Sequence, residues 1–283
     1  MEKKRVSSKV ILVLIDGLAW QTAHDCMGYL QGLCEAGQAT LYRLTCELPS
    51  LSRPLYECVL TGTSPVESGI IHNSISRLSN QQSIFHLARS AGLTTAAAAY
   101  HWVSELYNRT PYVPIRDRLT SDISLPIQHG MFYHSDDYPD GHLLIDAEIL
   151  RLRHDPDFLL IHPMNVDDAG HRHGYDSAQY RNTARRMDGL LSLDLPKWLS
   201  EGYQVLVTSD HGMNNDHSHG GIYPEERQVP LFTMGDRFGH QPGIAVRQTE
   251  ICGIVADLMG IDHSKKNQSA LLVEKTGDSS GPP

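Results

Sequence analysis

Acidic and imidazole side chains follow three apolar runs of the chain, and their types and spacing are suited to binding metal ions. Asp16 directly follows the first run. Asp167 and His171 come shortly after a later run, and Asp210 and His211 directly follow a third. If the runs are neighbouring strands of an open α/β sheet, these side chains meet beyond the carboxyl ends of the strands, where ligands bind.

Carboxylates gathered at one edge of a sheet repel one another unless cations compensate them. Imidazole together with carboxylate ligands favours zinc or a similar transition metal over magnesium or calcium. The pattern therefore predicts a site for two divalent cations, with zinc as the favoured metal. Each segment also has a structural explanation when taken alone: Ile-Asp-Gly at 15–17 is common at turns, and Asp-x-x-x-His at 167–171 could be a helix cap with a surface histidine. Their order, each after an apolar run, favours the metal site.

A candidate nucleophile, Ser52, begins a segment with helical character. Pro54 stands where a first helical turn tolerates proline, and Gly62 suits a helix end. Ser52 would then lie at a helix N-terminus, where backbone N–H groups and the helix dipole attract an anion. It could simply cap that helix, but beside a metal cluster its hydroxyl could be activated for attack. Ser50, two residues earlier, is the alternative nucleophile.

The elements that must position these side chains alternate between short apolar runs and helical patterns. The runs predict strands that are covered on both faces, as in a parallel sheet. They are Val10–Ile15, Thr40–Cys46, Thr94–Tyr100, Phe158–Ile161, Gln204–Thr208 and Pro230–Met234. Helical patterns lie between them at 24–36, 81–91, 177–193 and 249–259. This alternation predicts an α/β fold with a largely parallel central sheet and helices on both faces.

The length of 283 residues suits one large α/β domain, and we predict a single catalytic domain over residues 1–264. The segment 107–141 is rich in Pro, Asp, Tyr and His, with weak periodicity, and is predicted to be a small loop-rich cap or insertion. Residues 265–283 are predicted to form a disordered tail.

Composition narrows the range of partners. The net charge of −9 argues against a nucleic-acid polymer or an anionic membrane as the main partner. The 5 cysteines show no Cys-x-x-Cys spacing, which indicates reduced thiols rather than a disulfide framework. The basic start over residues 1–9 precedes an apolar run that is too short for a signal peptide or a membrane span. We therefore expect a soluble, cytoplasmic protein.

An ordered set of motifs resembles the alkaline phosphatase superfamily and, within it, the type I phosphodiesterase/nucleotide pyrophosphatase family. The motifs are Val-Leu-Ile-Asp-Gly at 13–17, the Ser52 segment through Gly62, Glu-Ser-Gly-Ile-Ile-His-Asn at 67–73, Asp-x-x-Gly-His at 167–171, Thr-Ser-Asp-His-Gly-Met at 208–213, and Ser-His-Gly-Gly at 218–221 followed by Val-Pro-Leu at 229–231. The similarity covers most of residues 9–262, and it implies an alkaline-phosphatase-like sandwich fold.

The resemblance also implies two zinc ions with separate ligand sets. One ion would be held by Asp167, His171 and His219, and the other by Asp16, Asp210, His211 and Ser52. His217 lies two residues from His219 and is the alternative ligand. The family's reaction would be hydrolysis of phosphodiester or pyrophosphate bonds through a phosphoseryl intermediate on Ser52. Asn73 matches the asparagine that contacts a phosphate oxygen and would help to stabilise its charge.

Three positions depart from the family pattern. Ser52 stands where the phosphodiesterases usually have threonine, and it matches the monoesterases. Arg53 and His162 replace the two aromatic residues that sandwich a nucleobase in nucleotide-specific members. The Arg53 guanidinium could pair with a phosphate, phosphonate or carboxylate oxygen, or it could be a solvated first-turn residue.

We therefore expect a small phosphorylated or phosphonate substrate that Arg53 and His162 contact. A phosphomonoesterase or phosphonate hydrolase is the alternative function. A phosphomutase is less favoured, because the interval between Ser52 and Asp167 is too short for the extra domain that those enzymes carry.

Overall fold

A computed structural model describes residues 7–273 of the chain, so residues 1–6 of the basic start and residues 274–283 of the predicted tail lie outside the described residues. The strands are β1 Val10–Ile15, β2 Ala39–Thr45, β3 Thr95–Tyr100, β4 Leu119–Ser121, β5 His129–Tyr133, β6 Phe158–Ile161, β7 Gln204–Ser209 and β8 Gln228–Met234. The helices are α1 Trp20–Cys26, α2 Gly28–Glu35, α3 Ser52–Thr61, α4 Pro65–Ser68, α5 Ile84–Ser90, α6 His101–Tyr107, α7 Pro114–Asp117, α8 Asp140–His154, α9 Asn165–His173, α10 Ala178–Ser200, α11 Pro224–Arg227 and α12 Ile251–Leu258. Short 3-10 helices span Gln248–Glu250 and Ser269–Leu271.

All eight strands form one sheet in the order β2-β8-β7-β1-β6-β3-β5-β4. The five strands from β7 to β5 run parallel, whereas β8 is antiparallel to both of its neighbours and β4 is antiparallel to β5. Strand β1 lies between β6 and β7 at the centre. Because parallel strands end at the same edge, the segments that follow β1, β6 and β7 meet there. The predicted largely parallel sheet is confirmed.

Each face of the sheet carries its own apolar core. The even-numbered residues of β1 belong to one core with side chains of α3, α5 and α12, and the odd-numbered residues belong to the other with α2, α8 and α10. Because both faces are covered, the central strands read as continuous apolar runs. No helix among residues 7–273 has the length and apolar character needed to cross a membrane.

Two segments that we predicted to be peripheral are part of this fold. The segment 107–141 supplies β4 and β5, and β5 pairs with β3 along its whole length, so the prediction of a loop-rich cap was wrong. Strand β5 begins with His129 and Gly130, and it therefore shows no apolar run. Residues 265–273 were wrongly predicted to be disordered, since Leu271 is buried and Leu272 forms a bridge with Phe238.

The predicted helix over residues 24–36 is instead two helices that meet at Met27, whose ψ of 72° is not helical. The second helix, α2, begins with N–H groups that are capped from elsewhere in the chain. Asp188 of α10 accepts hydrogen bonds from the N–H groups of Tyr29 at 2.7 Å and Leu30 at 3.1 Å. The acceptor is distant in sequence, and local periodicity alone therefore did not reveal the break.

We expect Asp188→Ala to lower the free energy of unfolding by about 1–2 kcal/mol, because it leaves two N–H groups of α2 without their acceptor. Urea denaturation of the metal-free protein measures the change. Glu35→Ala removes an exposed carboxylate from the other end of α2 and should change stability by less than about 0.5 kcal/mol. Equal losses in the two variants would contradict the capping role.

Candidate active site

The site is assembled where β1, β6 and β7 end. Asp16 directly follows β1 and is fully buried, and the next residue, Gly17, donates its N–H to Asp210 Oδ1 at 3.2 Å. Gly17 has a φ of +70°, and a Cβ on it would lie 2.8 Å from Asp167 Cα. Only glycine therefore allows Asp167 to approach Asp16 this closely.

Helix α9, which follows β6 after the short segment 162–164, carries the second pair of predicted ligands. Asp167 and His171 are four residues apart on this helix and so share one face, with His171 Nε2 3.4 Å from Asp167 Oδ2. The helix packs tightly on the segment after β7. A Cβ on Gly170 would lie 2.6 Å from the Met213 side chain.

The structure gathers the predicted ligands into two groups. One contains Asp167, His171 and His219, and the other contains Asp16, Asp210 and His211. Within each group the ligand atoms lie within 4.8 Å of one another. Apart from Ser52, which is described below, these are the members of the two sets that the resemblance implied. The imidazoles of His211 and His219 stack at 3.7 Å between ring centroids and so link the groups. His217, the alternative ligand, instead places its Nδ1 3.1 Å from the carbonyl oxygen of His171.

The three histidines are held with Nε2 as the free ring nitrogen. In each, Nδ1 lies next to a backbone carbonyl, which can only accept a hydrogen bond, so Nδ1 carries the proton and Nε2 keeps its lone pair. Nδ1 of His171 lies 2.9 Å from the carbonyl oxygen of His217. Nδ1 of His211 lies 2.8 Å from the carbonyl oxygen of Gly212, and Nδ1 of His219 lies 2.8 Å from that of Ser50. Metal-ligating histidines are held in this way.

The carboxylates lack the partners that buried oxygens require. Among residues 7–273, Asp16 Oδ1, Asp167 Oδ1 and Asp210 Oδ2 are buried without a hydrogen-bond partner. Burial, together with the charge of Asp16, raises the pKa of Asp167 and of Asp210 well above the usual range. Burial also opposes ionisation of Asp16, but its contacts with His162 and the Tyr56 hydroxyl outweigh that effect and lower its pKa to about 2. Two divalent cations fit this donor set, because they would supply the missing partners and cancel the repulsion.

Ser52 faces the ligand group rather than capping its helix. Leu51 is the N-cap of α3, and its side chain makes no capping hydrogen bond. Ser52 Oγ instead lies 3.0 Å from His211 Nε2. Ser50 has a different task, because its Oγ donates to the carbonyl of Gly221 at 2.9 Å and accepts from the N–H of Gly220 at 3.1 Å. The geometry therefore favours Ser52 over Ser50 as the nucleophile.

Asn73 and Arg53 lie beside this helix end. Asn73 Oδ1 accepts the N–H of Arg53 at 3.0 Å, which directs the other end of the amide, Nδ2, away as a donor. The Arg53 side chain is only 3% exposed, pairs with Glu105 at 2.8 Å and lies over the Trp102 ring at 4.4 Å. It is therefore not a solvated first-turn residue. Within the described part of the chain, its Nε and Nη1 atoms are buried without an acceptor.

His162 does not occupy the position that we predicted. It is fully buried, its Nε2 lies 3.4 Å from Asp16 Oδ2, and its Nδ1 accepts the N–H of Tyr100 at 3.4 Å. The prediction of a direct substrate contact was wrong, because the ring lies behind Asp16. Sequence analysis also missed Tyr56, whose hydroxyl donates to Asp16 Oδ2. The only available signal was its spacing of one helical turn from Ser52.

The chain also matches a known protein family. Residues 10–226 match the family model described as type I phosphodiesterase / nucleotide pyrophosphatase. The chain belongs to this family. The sequence-based resemblance is thereby confirmed, and the chain is assigned to a family of phosphoester-handling enzymes.

The curated relatives include transferases. The chain is 24% identical, over 283 aligned residues, to GPI ethanolamine phosphate transferase 2, catalytic subunit, of Homo sapiens. This alignment covers 94% of this chain and 28% of the human protein. It is 22% identical over 265 residues to GPI ethanolamine phosphate transferase 2 of Kluyveromyces lactis, covering 88% of this chain and 32% of that protein. The chain thus spans less than a third of the length of these two relatives.

Solved structures share the fold at low identity. Murine ectonucleotide pyrophosphatase/phosphodiesterase 5 superposes with a TM-score of 0.72 at 13% identity, covering 94% of this chain and 100% of that one. A phosphonate monoester hydrolase from Silicibacter pomeroyi gives a TM-score of 0.63 at 14% identity, covering 92% and 76%. The predicted alkaline-phosphatase-like fold is confirmed.

We expect the purified protein to bind two zinc ions per chain, and Asp210→Asn to bind one, because the substitution removes a ligand from only one group. Zinc should stabilise the wild type by about 2.7 kcal/mol per site when its free concentration is roughly 100 times the Kd. Elemental analysis and thermal unfolding with and without chelator measure both effects. Asp168→Asn is the matched control, since Asp168 pairs with Arg172 at 2.9 Å outside both groups. One ion lost from the control as well would contradict the assignment.

Proposed function

We propose that this protein transfers phosphoryl groups from phosphodiester substrates, with Ser52 as the nucleophile beside two divalent cations. The observation that carries the proposal is the direction of the Ser52 hydroxyl, which caps no backbone group and instead meets His211 Nε2 at 3.0 Å. A serine at the start of a fully buried helix, next to two groups of metal-ligand type, has the surroundings that nucleophilic catalysis requires.

In the first step, Ser52 Oγ loses its proton to solvent and forms a bond to phosphorus. The bond to the leaving oxygen breaks on the opposite side, and the leaving group takes up a proton. In the second step, water or an alcohol attacks the phosphoseryl group and restores the Ser52 hydroxyl. When bound, the cations would lower the pKa of that hydroxyl and offset the charge on the phosphoryl oxygens.

Residues of this chain would stabilise the equatorial oxygens of the transferred group. The Asn73 amide is oriented by the N–H of Arg53, so that its Nδ2 remains the donor for a phosphoryl oxygen. In the first turn of α3 the N–H of Arg53 is taken by Asn73 and Pro54 has none, so the Ser52 N–H is the backbone donor that would add to this set.

A transferase is the second candidate, and the curated relatives favour it. Both of the relatives described above are named GPI ethanolamine phosphate transferase 2, and one aligns over 94% of this chain. In this version the second attack comes from an alcohol, and the phosphodiester donor would carry ethanolamine. The same Ser52 intermediate serves both reactions, so the identity of the second acceptor is what separates them.

We expect Ser52→Ala to lower kcat for bis-p-nitrophenyl phosphate by at least roughly 10³-fold without loss of bound metal, because the nucleophile is removed and the ligand groups remain. Intact-protein mass spectrometry after rapid quenching should show the phosphorylated adduct in the wild type and in Ser50→Ala, but not in Ser52→Ala. An adduct in Ser52→Ala would contradict the assignment of the nucleophile.

The same assay distinguishes the two candidates when an alcohol such as glycerol is added. Phosphorus NMR would show a new phosphodiester if the intermediate is transferred to the alcohol, and only the hydrolysis product if water alone is the acceptor. A new diester that increases in proportion to the alcohol concentration would support the transferase.

We also propose that Arg53 contacts an anionic oxygen of the substrate, because its buried Nε and Nη1 lack acceptors within residues 7–273. This contact favours a monoester, which carries one more charge than a diester, and it keeps the phosphomonoesterase or phosphonate hydrolase as an alternative.

Arg53→Met should reduce kcat/KM for p-nitrophenyl phosphate more than for bis-p-nitrophenyl phosphate, by about 10-fold or more, as expected for the loss of a charged hydrogen bond of about 1.5–3 kcal/mol. Steady-state kinetics on both substrates measures the ratio. Arg109→Met, which removes an arginine paired with Asp122 at 3.0 Å, is the control and should leave the ratio unchanged. Equal losses on the two substrates in Arg53→Met would rule out the contact with the extra charge.

A further inference from the structure

The nucleophile and one metal-ligand carboxylate are connected through a single helix. Tyr56 lies four residues after Ser52 in α3, so both side chains project from the same face. Its hydroxyl donates a hydrogen bond to Asp16 Oδ2, and the whole side chain is buried. We propose that Tyr56 is a positioning residue that orients Asp16 toward its metal ion and fixes that ion relative to Ser52. This inference rests on the proposed two-metal function.

The Tyr56 ring has a fixed position. Every residue of α3 is buried, and the ring lies edge-on to His162 at 4.6 Å between centroids and beside Trp102 at 6.2 Å. The hydroxyl therefore cannot move away from Asp16 without displacing the helix that carries Ser52. A close-packed interior resists such displacement.

His162, in the segment after β6, lies next to the same oxygen of Asp16, Oδ2. Its backbone carbonyl accepts the hydroxyl of Tyr133 at 2.6 Å, and its Nδ1 accepts the N–H of Tyr100 at 3.4 Å. Nε2 then carries the ring proton and faces Asp16 Oδ2 at 3.4 Å, an electrostatic contact that is too long for a normal hydrogen bond. Tyr56 is thus the principal anchor of Asp16, and His162 is a weaker one.

These two anchors leave one oxygen of Asp16 for the cation. Oδ2 is occupied, whereas Oδ1 has no hydrogen-bond partner in the described residues and lies 3.4 Å from His211 Nε2. Without Tyr56 the carboxylate could rotate about its χ2 torsion and present either oxygen. Residues that hold a ligand in this way typically contribute 10–100-fold, roughly, to metal affinity.

The test is competition between the zinc-loaded protein and a chelator, with the zinc released measured by a metal indicator. Tyr56→Phe keeps the ring and removes the hydroxyl. We expect it to lose the ion of the Asp16 group at a roughly 10–100-fold lower chelator concentration than the wild type, with the ion of the Asp167 group unchanged. Excess zinc should restore kcat, since a positioning residue takes no part in the chemical step.

Tyr107→Phe is the matched control. Tyr107 is also buried, and its hydroxyl donates to a carboxylate of α3, Glu57 Oε2, at 2.8 Å. It should release both ions as the wild type does. If Tyr56→Phe does not fold, His162→Phe provides the second test, with a smaller loss expected at the same site. Release indistinguishable from that of the wild type in the folded variant would overturn the inference. A wild type that binds no zinc would refute the proposed function itself.

Discussion

The mutual repulsion of three buried carboxylates is the constraint on which the rest of this structure depends. Asp16, Asp167 and Asp210 are delivered to one edge because the strands that precede them are neighbours in the sheet. Each keeps one buried oxygen without a partner among residues 7–273. Bound cations would supply the missing partners and cancel the repulsion, so metal binding would stabilise the folded chain.

The residues around the three carboxylates orient the other groups of the site toward them. Backbone carbonyls set the protonation of the three histidines, so that lone pairs rather than N–H groups face the carboxylates. Ser50 makes two contacts in this region. Its carbonyl oxygen orients the His219 ring, and its hydroxyl oxygen accepts the N–H of Gly220. Helix α3 then brings Ser52 to the same place. The nucleophile and the ligand groups are therefore supported by the same few contacts.

The sequence predicted the ends of the central strands and their polar residues because each was marked by a local pattern. It failed where a role depends on the direction of a side chain in three dimensions. His162 follows β6 as expected but points behind Asp16, and no local pattern distinguishes that direction from a substrate contact. Strand β5 was missed because its pairing with β3, rather than an apolar run, makes it a strand. The break before α2 depends on Asp188, which is distant in the chain.

The central claim is that the two groups of ligands each hold a metal ion, and anomalous diffraction from crystals grown with zinc tests it most directly. The account predicts two strong anomalous peaks per chain. One should be bounded by Asp167, His171 and His219, and the other by Asp16, Asp210 and His211, next to Ser52 Oγ. Zinc bound only at other places, with both groups empty and the carboxylates unchanged, would contradict the account.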